Sequence, residues 1–89
     1  MNLLIDIGNT SCKFCLSDRD GNLSNIERLA APMDIMGQIP SGIETIVLSN
    51  VRERDIEYEH LLSLHCEKLV VLELDYVRKL VEERPDIPV

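Results

Sequence analysis

Three short apolar runs constrain this chain more than any other feature of it. Residues 3–7 (LLIDI), 45–48 (TIVL) and 69–72 (LVVL) are almost uninterrupted in apolar side chains and rich in branched ones. Runs of that length without alternation read as strands buried on both faces, the pattern of parallel strands in a sheet covered by helices. Turn residues follow the first run at Gly8-Asn9-Thr10, and Ser49-Asn50 ends the second. Residues 12–17 alternate, with Cys12, Phe14 and Leu16 on one face, and predict a second strand. Asp18-Arg19-Asp20-Gly21-Asn22 is a hairpin signal, because Gly tolerates the positive φ that such turns require. A third strand is expected loosely through Leu23, Ile26 and Leu29, which makes the opening an antiparallel meander.

The pattern then changes to helical spacing. Residues 32–39 predict a short helix, with Pro32 in its first turn and Ile35, Met36 and Ile39 facing one way. Residues 53–66 predict a second, with Ile56, Leu61, Leu62, Leu64 and His65 loosely on one side. Asp75 caps a third, with Tyr76, Val77, Leu80 and Val81 inward and Pro85 as its stop. The expected order is βββαβαβα, an α/β fold with a mixed sheet whose parallel strands join beside the first strand. At 89 residues, with no repeat and no Gly/Ser linker, the chain is read as one domain over 1–89.

Charge narrows the function. Nine Lys and Arg against sixteen Asp and Glu leave a formal net charge of −7, with no basic stripe, so a nucleic-acid partner is not expected. No Trp, one Phe and two Tyr provide no platform for stacking bases. No apolar run approaches the ~20 residues of a membrane span, so no membrane partner is expected. The N-terminus meets Asp6 without a cationic segment, and three Cys is an odd count; both favour reduced thiols in a cytoplasm.

The segment richest in chemistry is Asp6-Ile7-Gly8-Asn9-Thr10-Ser11-Cys12-Lys13. It sets a carboxylate at the exit of a central strand and follows it with a tight polar turn. Gly8 allows close approach of the backbone, the turn N–H groups can converge on an anion, and the Thr10 hydroxyl can donate as well. Asp6 suits Mg2+, a hard cation that takes oxygen ligands and keeps several waters. Lys13 brings a positive charge near the same turn if the second strand folds back. Carboxylate, turn and lysine together describe a site for a metal-bound polyphosphate; the plain alternative is a hairpin turn with an exposed Asp.

Asp6-Ile7-Gly8-Asn9-Thr10 followed by Lys13 resembles the phosphate-1 motif of type III pantothenate kinases, members of the superfamily of actin, the heat-shock ATPases and the sugar kinases. The βββαβαβ order resembles the N-terminal half-domain of that superfamily, of ribonuclease-H-like, actin-like type. Ile46-Val47-Leu48-Ser49-Asn50-Val51 is similar to the family's strand that ends in a Ser-rich turn. The resemblance implies that Asp6 positions the Mg2+ of ATP, that Gly8, Asn9 and Thr10 line the phosphate loop, and that Lys13 contacts the phosphates. Ser49 and Asn50 would border the cleft, since ligands gather at the carboxyl ends of parallel strands. It further implies phosphorylation of a hydroxyl of pantothenate on the way to coenzyme A, a monovalent cation (K+ or NH4+), and a homo-oligomer. Family members are longer and hold their site between two copies of the fold. The expectation is therefore that 1–89 is the N-terminal half-domain with the second half absent, that the general base lies beyond Val89, and that the chain alone does not turn over.

Two other readings belong to different classes. One is a non-catalytic nucleotide-binding or regulatory module of the same superfamily; the other is a structural fragment that takes no ligand. Cys12-Lys13-Phe14-Cys15 offers a C-x-x-C, with His60, His65 and Cys66 as further zinc donors. Residues three apart on a strand point to opposite faces, so the two sulfurs are expected to diverge. The mixed charges of Arg52-Glu53-Arg54-Asp55, Glu57 and Glu59 read as a solvated face near a helix start.

Overall fold

Branched apolar residues at positions 3, 5 and 7 give the first strand one continuous buried edge of side chains, and the sheet is built outward from it. The structure, a computed structural model, describes residues 1–72. The helix expected at Asp75, with Tyr76, Val77, Leu80, Val81 and Pro85, lies outside the described residues.

Strand β1 (Asn2–Ile7) is central. Antiparallel β2 (Cys12–Ser17) flanks it on one side, followed by antiparallel β3 (Glu27–Leu29). Parallel β4 (Thr45–Asn50) lies on its other side and parallel β5 (Lys68–Leu72) beyond that. The order β3-β2-β1-β4-β5 makes a mixed five-stranded sheet, with the parallel strands joining beside the first strand as the element order implies.

One face of the sheet carries the core. Leu3, Ile5 and Ile7 of β1, Cys12 and Phe14 of β2, and Ile46 and Leu48 of β4 are buried together. A 3-10 helix (Pro32–Gly37) and helix α1 (Ile56–Ser63) pack on them, contributing Ile35, Tyr58 and Leu62. The opposite face differs from the expectation of strands buried on both sides. Leu4 and Val47 are only half-buried there and Asp6 is exposed. Both helical segments among the described residues cover the same side of the sheet. The β4–α1–β5 crossover can place its helix on only one face.

Other boundaries also move. The third strand is three residues long, and Leu23 makes only an isolated bridge to Ser17. Leu23 is 60% and Ile26 67% exposed, so neither belongs to the core. The cause lies just past the hairpin. The Asp18 carboxylate accepts from the amides of Asp20 and Asn22, both at 2.9 Å, and from the Asn22 side chain at 3.0 Å. The turn closes at once in the Ser17–Leu23 bridge, with Gly21 supplying the positive φ (82°) expected of it, but the Leu16 N–H then donates to the Ser24 hydroxyl at 2.8 Å and the ladder resumes only at Phe14–Glu27. The helix expected over 32–39 is a 3-10 segment, since Asp34 N–H bonds Ala31 O and Gln38 N–H bonds Ile35 O, each three residues back. Helix α1 starts later than expected because the Asp55 carboxylate accepts from Tyr58 N–H at 3.0 Å and caps it. Its inward face is Tyr58, Glu59 and Leu62, whereas Ile56 (64%) and Leu64 (67%) are exposed. Among the described residues no helix is long and apolar enough to cross a membrane.

Candidate functional site

Strand register decides which of the singled-out residues meet. Asp6 on β1 stands opposite Lys13 on β2 and opposite Ser49 on β4. Because side chains alternate, all three lie on the face away from the core, in one row across three strands. With Leu4, Cys15, Ile26 and Val47 they line a shallow cavity of about 330 Å3. Asp6 is exposed and, among the described residues, makes no ion pair within 4.0 Å, with Lys13 or with any other cation.

Immediately past Asp6 the chain turns. Gly8 N–H donates to Ser11 O at 2.7 Å, so this amide closes the turn and is not offered to an anion. A Cβ at Gly8 would sit 3.2 Å from that same Ser11 oxygen, and the approach that Gly8 permits is therefore of the chain to itself. Asn9 and Thr10 form the exposed tip.

Asn50 does not join the Asp6 row. It pairs with Ile7, and its side-chain oxygen accepts from Arg52 N–H at 2.8 Å. The loop after β4 is laced to β1 and its turn: Val51 N–H bonds Ile7 O at 3.1 Å, and Arg52 Nε–H bonds Gly8 O at 2.7 Å. These contacts lie at the carboxyl ends of two neighbouring parallel strands. Here the chain, having gone from β1 outward to β2 and β3, resumes on the other side with β4. Such a switch point leaves a crevice in which open α/β sheets bind ligands.

Beside it, Arg54 forks onto Glu59, with Nε 2.9 Å from Oε2 and Nη2 3.0 Å from Oε1. This pair, with Asn50, Arg52, Val71 and Leu72, lines a cavity of about 280 Å3. The solvated-face expectation for this run thus misses two specific contacts, those of Arg52 and Arg54. The available signal was the placement of a cation two residues after a parallel strand at the switch point.

Magnesium is chemically compatible with the Asp6 row. An open carboxylate with the Ser49 hydroxyl on the neighbouring strand is an all-oxygen set with room for water. Among the described residues no group of three or more His, Cys, Asp and Glu could hold a metal ion, so a metal here would rest on one carboxylate and its waters. The C-x-x-C diverges as its strand position requires: Cys12 enters the core, Cys15 faces the other way, and both are free thiols. His60 and His65 are exposed on and just after α1. No family model matches the chain, and no curated protein matches it.

Proposed function

We propose that this chain is the phosphate-binding half-domain of an ATP-dependent small-molecule kinase resembling the type III pantothenate kinases, with a ribonuclease-H-like, actin-like fold. The observation that carries this reading is the row Lys13–Asp6–Ser49, set directly before the Gly8–Ser11 turn at the carboxyl ends of β1 and β4. The meander on one side of β1 and the parallel strands on the other agree with the half-domain likeness.

In this reading Asp6 holds hydrated Mg2+, which when bound neutralises charge on the polyphosphate. Thr10 and Asn9 donate to phosphate oxygens from the turn tip, and Lys13 adds a positive point charge. Ser49 borders the same space, while Asn50 acts indirectly by holding the following loop. Phosphoryl transfer asks chiefly for alignment and charge stabilisation, which a turn, a carboxylate and a lysine supply. The acceptor is a small alcohol, pantothenate by resemblance, and a K+ or NH4+ requirement, a homo-oligomeric state and a cytoplasmic location rest on the resemblance alone. No residue of this chain is assigned as general base.

A 15N–1H NMR titration with Mg·ATP tests the reading. The amides of Gly8, Asn9 and Thr10 should shift in the parent chain and stay still in Asp6→Asn. A well-dispersed spectrum in which nothing moves at millimolar nucleotide would falsify it.

A further inference from the structure

Arg52 differs from Arg19 and Arg54. Arg19 pairs with Glu44 and Arg54 with Glu59, whereas among the described residues no carboxylate lies within ion-pair reach of Arg52. Its Nε–H is spent instead on a backbone oxygen 44 residues away, Gly8 O, at 2.7 Å. Both polar backbone atoms of Gly8 are therefore committed, the N–H to Ser11 O and the C=O to a guanidinium. Arg52 is itself held from behind, since its own N–H bonds the Asn50 side chain and the preceding amide bonds Ile7 O. The result is a brace from the loop after β4 to the turn after β1, across the switch point of the sheet.

The geometry points to Arg52 as the positioning residue of the phosphate turn, and as the cation that meets a nucleotide phosphate with its two terminal amino groups. The second half of this inference rests on the kinase reading. A guanidinium carries five N–H donors in a planar fork, so one can anchor the turn while the terminal pair engages an oxyanion. Lysine holds its three donors on one compact ammonium and has no planar fork to present them to two acceptors on different sides, so it does both less well. In a chain of net charge −7, an arginine with no carboxylate partner among the described residues also adds to Lys13 as a local attraction for a polyanion beside this turn.

The test uses the full 89-residue chain and its Arg52→Lys and Arg52→Gln variants. Without nucleotide, both variants should shift the amides of Gly8, Asn9 and Thr10 and speed hydrogen exchange of the Gly8 amide, the one bonded to Ser11 O, by about three- to tenfold, leaving β5 unchanged. With Mg·ATP, the parent turn should saturate at a concentration about tenfold lower than Arg52→Lys, whose charge is intact. Unchanged turn amides in the nucleotide-free variants overturn the brace and the whole inference. Equal saturation in parent and Arg52→Lys reduces Arg52 to a loop staple and overturns the phosphate contact. A parent that ignores Mg·ATP, with turn amides still displaced in the variants, overturns the kinase reading and the phosphate contact while supporting the brace.

Discussion

Tyr58 sits on the inward face of α1 with its ring in the core and its hydroxyl donating to Pro32 O at 2.9 Å, tying the helix to the 3-10 segment. Burial, more than the nearby Cys12 and Asp55, pushes its phenol up to about 12 from an ordinary 10.0. Between those two values the folded chain keeps a proton that the unfolded chain has lost. The stabilisation is therefore complete below pH 10 and is lost as pH rises towards about 12. Phenolate absorbance should contain a step near pH 12 that Tyr58→Phe removes, and a step complete by pH 11 would contradict the burial. Glu59 is a second residue of this kind, 8% exposed and satisfied by the Arg54 fork. Arg54→Ala should cost about 1–2 kcal/mol in urea unfolding, more than a simple surface pair, because it leaves that carboxylate without its partner. The sequence let Asp6, Lys13 and the turn be read because strand exit and hairpin return are local patterns. Arg52 and Glu59 were not readable, since their partners are set by the crossing of separate elements and both sit among charges that look solvated.

Elements were legible in proportion to how local their causes are. The hairpin was visible in its Asp-Gly-Asn composition, and its geometry makes a sharp expectation. Gly21→Ala must place a Cβ at φ 82° and should cost about 1 kcal/mol, whereas Gly37→Ala, in open space without a positive φ, should be close to neutral. A thermal melt of both variants separates the two; equal losses would mean the turn geometry is not the constraint. Helix α1 lies within the expected span but is shorter at both ends, and of its expected inward face only Leu62 is fully buried. Its apolar residues Ile56, Tyr58, Leu61 and Leu62 are spread around too much of an eight-residue helix to define a stripe. The Asp55 cap settles where the helix begins, and Asp55→Ala should lower stability by about 1 kcal/mol. The 3-10 segment looked α-helical because Ile35, Met36 and Ile39 satisfy either spacing over so short a stretch.

Across the whole molecule, stability should grade from the centre of the sheet outward. Strand β1 is hydrogen-bonded along both edges, β4 likewise, and β3 offers only three residues at the rim. Native-state hydrogen exchange should find the slowest amides in β1 and β4 and the fastest strand amides in Glu27–Leu29. The reverse ranking would mean that the meander, not the parallel pair, is the last part to open. The fold class was readable because buried runs and turn residues together admit few topologies, but which face stays bare was not, since that depends on where the crossovers land. The central position of β1 has a further consequence, for the chain during its synthesis. On the ribosome β1 emerges well before β4, its parallel neighbour, and at ordinary translation rates the interval is roughly two to nine seconds. Throughout it, the strand destined for the middle of the sheet has one edge bare in a crowded medium. Slow codons between positions 22 and 44 would lengthen that wait and lower soluble yield without altering a single residue of the product.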